Sequence, residues 1–205
     1  MRLLLVVMLV ALPVSTPSAT ARERNPVALA SSTDDAVLTS HLAGLGPDVS
    51  GREARAVAAT AYFTGRDLRR EWRVVPLPLF QNFLVNTKIR KGGLCFQWAR
   101  ELLVRLDGLK LKTLELHWGE SFAGTLREHN VVVVTAKGQP FEQGILLDNW
   151  RYSGRLAWAR VSADSRYHWT ENKVEFGRTL NRQSVARPGV KERSKRAAVA
   201  PDEKN

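Results

Sequence analysis

The stretch from Glu128 to Trp150 constrains the fold more than any other part of the chain. It holds two apolar runs, "HNVVVVTA" at residues 129–136 and "GILLDNW" at residues 144–150, separated by "KGQP" at residues 137–140. Four consecutive valines, with no polar alternation, form a strand covered on both faces. A Lys-Gly-Gln-Pro segment is turn chemistry, so the second run returns antiparallel to the first. Such a hairpin needs further elements to cover it, and the rest of the chain must supply them. A turn centred within residues 137–140 sets His129 directly opposite Asp148 on one sheet face, with Cβ atoms about 5 Å apart. A carboxylate there holds an imidazole's tautomer and leaves its other nitrogen free for proton transfer. A bulge near Gly144 would shift the pairing by one and bring Asn149 to that place instead.

Upstream, helical periodicity dominates. Ser50-Gly-Arg-Glu53 fits a capping box. Ala54, Val57, Ala58, Ala61 and Tyr62 then recur at helical spacing as far as Phe63. Gly65 is the expected break, with Leu68 and Trp72 on a further short helix. Pro76 and Pro78 are expected to end helical structure and begin an extended segment. From Leu94 a second stripe of Cys95, Trp98, Ala99, Leu102, Leu103 and Leu106 runs to a stop at Asp107-Gly108. "LKTLELHW" then alternates as a half-buried strand. Helices followed by a run of antiparallel strands define the α+β class.

Cys95 is the only cysteine of 205 residues. On the stripe alone it reads as a small core residue. Its place in the first turn of a helix, however, sets the thiol near unpaired backbone N–H groups and the positive end of the helix dipole, which favour the thiolate form. Gly92 and Gly93 are expected to leave the approach to that helix open, and the Cys95 N–H is a candidate oxyanion donor. Cysteine, histidine and carboxylate in that order form a complete scheme for acyl transfer.

"GGLCFQWARELL … EHNVVVV … GILLDNW" resembles the core of the papain-like and transglutaminase-like cysteine enzymes, over roughly residues 86–150. That resemblance implies an antiparallel sheet packed against a helix that bears the nucleophile. It also implies Cys95 as nucleophile, His129 as base and Asp148 as orienting acid. "LLDNW" is most similar to the matching segment of bacterial transglutaminase-like proteins, with Asn149 where proline is usual. The glutamine that papain-type enzymes place before the cysteine has no counterpart in "NTKIRKGGL", where Asn86 is the nearest substitute. Trp150, with Tyr152, Trp158, Tyr167 and Trp169, makes the following region aromatic. These rings read as sheet packing or as the wall of a substrate groove. His117 is expected to face solvent or substrate, and His168 the surface.

The first 21 residues read as a secretory signal: Arg2, an apolar run from Leu3 to Val14, and Ala19-Thr20-Ala21. Residues 22–48, rich in Ala, Ser, Thr, Pro and Asp, read as a flexible lead-in. Residues 49–177 are expected, from that resemblance, to form the transglutaminase-like domain. Residues 178–205 carry eight Lys or Arg against three acids and almost no large apolar side chain, and read as a disordered basic tail. The net charge of +11 suits loose contact with anionic polymers. No aromatic residue follows Phe176, so specific nucleic-acid binding is not expected. Cys95, His117, His129 and Asp148 lack short metal-ligand spacings, so no metal or other cofactor is expected. The expectation is a periplasmic or secreted thiol hydrolase or acyltransferase with no membrane span once the signal is removed. Its substrate would be a peptide, a protein or peptidoglycan. The alternative is an inactive envelope-binding protein of the same fold, using an aromatic groove and the basic tail.

Overall fold

The computed structural model describes residues 28–29 and 34–186, so the signal and most of the basic tail lie outside the described residues. The chain is α+β. Helices α1 (Asp34–Ala43), α2 (Gly51–Glu71), α3 (Pro78–Asn86) and α4 (Cys95–Asp107) precede strands β2 (Leu114–Ser121), β3 (His129–Ala136), β4 (Ile145–Tyr152) and β5 (Arg155–Arg160). Two-residue strands β1 (Ala28–Leu29) and β6 (Thr170–Glu171) flank these, and α5 (Lys173–Ala186) follows. The sheet order is β1-β5-β4-β3-β2-β6, antiparallel throughout.

The valine run explains why both faces are covered. Val132 and Val134 join Ile145, Leu147 and Leu156 beneath α1, α2 and α4, whose Leu42, Ala58 and Leu103 are fully buried. Val131 and Val133 point the other way, into a smaller cluster with Phe141, Leu146 and Trp169. Alternation along β3 therefore places His129 on the second face and Asn130 on the helix side.

Several expectations are corrected. Residues 22–48 are not all a loose lead-in, because α1 forms within them and buries Leu38 and Leu42, four residues apart, in the main core. The tail does not begin at 178, since α5 runs to Ala186 and packs Phe176 and Leu180 on the same core. Pro78 starts a helix rather than an extended segment: it occupies the first turn of α3, where its missing N–H costs nothing.

Gly65 does not break α2. It faces β4 and the β4–β5 turn, and a Cβ there would collide with the Asn149 side chain and the Gly154 carbonyl. Gly65→Ala is therefore expected to destabilise the fold by about 1–3 kcal/mol through overpacking, although alanine is the better helix former. Urea unfolding of the variant checks this.

Candidate functional site

The site forms where the start of α4 meets the start of β3 and the middle of β4. The backbone ahead of Cys95 is locked. Gln97 Oε1 accepts hydrogen bonds from the N–H groups of Gly93 and Leu94, both at 3.0 Å. Trp98 Nε1 donates to Gly93 O at 3.1 Å. Gly93 has φ = 128°, which a side chain would strain, and a Cβ on Gly92 would press into the Trp72 ring. The glycine pair is buried and shapes this bend, which corrects its expected role as an open approach. Among the described residues no carbonyl receives the N–H groups of Cys95 and Phe96 at the helix start.

His129 lies 1 % exposed, and its Nε2 meets Asp148 Oδ2 at 2.7 Å. The contact forms in a register different from the one expected. Val132 pairs with Leu147 and Val134 with Ile145, two residues away from the His129–Asp148 pairing. The connection is longer than a tight turn because Phe141–Gln143 coil into a 3₁₀ turn and bury Phe141. A shift of two preserves the sheet face, so Asp148 becomes a diagonal neighbour that still reaches the ring. Asn149 faces away, its Nδ2 donating to Ala61 O of α2 at 3.4 Å.

Asp148 is held on every side. Oδ1 accepts from the N–H groups of Trp150 (2.9 Å) and Arg151 (3.0 Å), while Oδ2 also accepts from Arg151 Nε at 3.0 Å. The bulge in β4 between Asp148 and Tyr152 curls Arg151 back to make these bonds. Arg151 in turn donates to Asp164 Oδ2 at 2.6 Å, and Trp169 Nε1 donates to the same oxygen at 3.2 Å. The His129 ring is enclosed by Trp150, Tyr167 and Trp169, with ring centroids 4.7, 4.9 and 5.5 Å away.

Burial opposes charge on both partners, and their mutual attraction outweighs it. For His129, desolvation is the largest influence. The Asp148 carboxylate, its hydrogen bond and the neighbouring Cys95 overcome it and lift the ring to about 9. Asp148 likewise stays ionised against its burial, held down to about 2 by His129 and Arg151. With Nε2 given to Asp148, Nδ1 is the nitrogen left for Cys95, and no hydrogen bond closes on it in this conformation.

The half-buried Cys95 thiol donates to Glu128 O at 3.6 Å and accepts from Asn130 Nδ2 at 3.7 Å. Trp118 Nε1 donates to Asn130 Oδ1 at 2.9 Å, which fixes the amide so that its N–H₂ faces the sulfur. His129 and Asn130 are neighbours on opposite faces of β3, and in this conformation only the amide bonds the sulfur. Nothing in the sequence singled out Asn130 beyond its place next to His129.

The sequence also passed over Gln81. It is 1 % exposed, accepts from Val75 N–H at 3.1 Å and donates to Gly92 O at 2.8 Å. It braces the turn before Cys95 from fourteen residues away. Asn86 is not brought to the site and lies exposed at the end of α3. Asn82, one turn earlier, instead accepts from Trp150 Nε1 at 3.1 Å. Trp150 and Tyr167 do line the cleft beside His129, a cavity of about 400 Å³ also bordered by Leu79 and Leu126. Trp158 and Trp169 are core.

His117 is neither solvent-facing nor near the cleft. Its nitrogens meet Glu171 (2.7 Å) and Thr135 (2.9 Å), and it lines a larger cavity of about 740 Å³ that holds none of Cys95, His129 and Asp148. His168 is exposed. Among the described residues no three His, Cys, Asp or Glu side chains cluster as a metal site.

Fold and site together define an α+β protein in which a helix-start cysteine meets a histidine held by a buried carboxylate. No protein-family model, curated protein or solved structure matches the chain.

Proposed function

We propose that the protein is an exported cysteine enzyme with a papain-like or transglutaminase-like core, acting on an amide or thioester carbonyl through an acyl-enzyme. The observation that carries this reading is the 2.7 Å contact of His129 Nε2 with fully buried Asp148, which leaves Nδ1 to the side of Cys95. The Cys95 thiol passes its proton to His129 Nδ1 as the sulfur attacks the carbonyl carbon, and the C=O π electrons move onto the oxygen. The His129 ring, its cation favoured up to about pH 9, gives that Nδ1 proton to the leaving amine as the C–N bond breaks. Water or an acceptor amine then attacks the thioester, the ring takes the incoming proton, and the sulfur leaves. The oxyanion is received by the free N–H groups of Cys95 and Phe96 and by Asn130 Nδ2. The substrate is a peptide, protein or peptidoglycan segment lying along Trp150, Tyr167 and Leu79.

Removing one oxyanion donor costs about 10²–10³ in kcat. Asn130→Leu is expected to show a loss of that size with KM little changed. Asn130→Gln, unable to keep the Trp118 bond in place, is expected to recover only part of it. Steady-state kinetics on any cleaved substrate checks both.

A second reading, an inactive envelope-binding protein of this fold, draws on the thiol's bond to the Glu128 carbonyl, since the sulfur is not bonded to the ring in this conformation. Alkylation separates the two. If Cys95 is the nucleophile of this reaction, iodoacetamide should modify it in the folded protein at about pH 6, and His129→Gln should slow this about tenfold or more. An inert thiol at that pH, in protein that alkylates readily once unfolded, would leave the binding reading in possession.

A further inference from the structure

Between Arg73 and Lys91 the chain leaves the core and returns as a braced projection. Arg90 Nε donates to Arg73 O at 3.3 Å across its neck. Inside, the buried Gln81 amide bridges Val75 N–H and Gly92 O. Gln81 and Leu84 form the inward face of α3. The outward face is apolar: Leu77 is 66 % exposed and Leu79 75 %, and Phe80, Phe83 and Ile89 are exposed beside them. The Phe80 and Phe83 rings lie stacked 6.1 Å apart. From Trp72 to Leu94 there is no Asp or Glu, while Arg73, Lys88, Arg90 and Lys91 carry positive charge.

Across the cleft the β2–β3 loop adds exposed apolar residues and a cation, with Glu128 the one acid at its end. Leu126 is fully exposed, and the Arg127 guanidinium sits 4.5 Å over the exposed Phe122 ring. Leu79 and Leu126 border the same cavity as His129. A run of exposed large apolar side chains edged by cations is costly in water and matches one environment well: the boundary between anionic headgroups and acyl chains.

We propose that the α3 projection and the β2–β3 loop dock the protein on an anionic lipid bilayer, with the cleft between them opening onto the membrane surface. Apolar side chains enter the interface while the basic residues meet the headgroups. A second copy is a poor occupant, because two-fold pairing of this face would set like charges against each other. Docking requires only this surface and holds whether or not Cys95 is a nucleophile. None of the described helices is long and apolar enough to cross a membrane.

The test uses the full chain carrying Cys95→Ser, so that a single introduced cysteine takes an environment-sensitive fluorophore. One protein carries Phe83→Cys and a second carries Glu142→Cys, an exposed position in the β3–β4 connection. With phosphatidylglycerol–phosphatidylcholine vesicles, the label at position 83 is expected to shift blue and to be quenched by spin-labelled acyl chains. The label at position 142 should stay unchanged, whatever the leader segment does. Pure phosphatidylcholine should give a weaker response. Adding Lys88→Gln, Arg90→Gln and Lys91→Gln should weaken partition about 10- to 100-fold. No response at position 83, or an equal response at 142, overturns the proposal. A vesicle-independent shift that grows with protein concentration also overturns it, in favour of self-association.

Discussion

If the protein is the proposed cysteine enzyme, Cys95→Ala is expected to lower amide hydrolysis or acyl transfer by about 10⁴-fold or more, because the residual rate left by binding and oxyanion contacts cannot replace a missing nucleophile. The loss should appear in kcat. The variant should fold as the parent does: Cys95 is half-buried at the first position of α4, its sulfur makes two weak contacts, and alanine is a better helix former. A thermal midpoint within a few degrees of the parent's would separate lost chemistry from lost structure. The assay is direct: parent and variant, purified identically, are offered fluorogenic peptide amides, thioesters and cell-wall peptides. Acid-quenched intact mass should show an acyl adduct on the parent alone. Equal turnover by the two proteins would remove Cys95 from the mechanism.

Asp148→Ala should be the most destabilising single change at the site, by about 3–5 kcal/mol, the usual cost of leaving a buried charge without its partner. It strips His129 Nε2 of its acceptor and Arg151 Nε of its carboxylate, both in a nearly water-free setting. Asp148→Asn keeps the shape and an acceptor oxygen, so it should cost less stability. It should still lower activity severely, because the ring loses the charge that keeps it protonated. The same pair gives stability a defined pH dependence. Asp148 is lowered from 3.8 to about 2, so its contribution is present above 3.8 and lost as pH falls toward 2. His129 is raised from 6.5 to about 9, so its contribution is complete below 6.5 and lost as pH rises toward 9. These are two views of one attraction and are not added. Unfolding free energy from this pair should therefore be flat between about pH 4 and 6.5 and fall on both sides. Asp148→Asn should flatten both limbs, which denaturant titrations across that range would show.

The elements that build the site were readable wherever burial is periodic in a local window. The α4 stripe runs from Cys95 to Asp107 as its spacing and Asp-Gly stop require, and β3 begins at His129. Where local chemistry and packing disagreed, packing decided. Gly65 lies within a continuous helix because α2 is held by the sheet below it, and glycine there lets Asn149 and Gly154 approach. The composition of residues 34–43 resembles a loop, yet Leu38 and Leu42 at one helical spacing are enough once a core exists to receive them. Pro78 was misread because one residue type serves both as a breaker and as a first-turn residue, and only the structure shows which.

What the sequence determined by itself is the order of the site-bearing elements, α4, β2, β3 and β4, and the sheet face that His129 and Asp148 share. Both follow from periods of 3.6 and 2 that any short window carries. This is why His129 and Asp148 meet although the register moved by two: an even shift leaves both on one face. Only the tertiary structure decided the register itself, through Phe141 and its 3₁₀ turn. It also decided that Asp148 and not Asn149 backs the ring, and that Asn130 is turned toward the sulfur by Trp118. The network from Asp148 through Arg151 to Asp164 and Trp169 was beyond local reading. Asp148 and Arg151 share β4, but their pairing depends on its bulge, and Asp164 and Trp169 come from the segment after β5; a buried charge finds its partner in space, where desolvation forces the pairing.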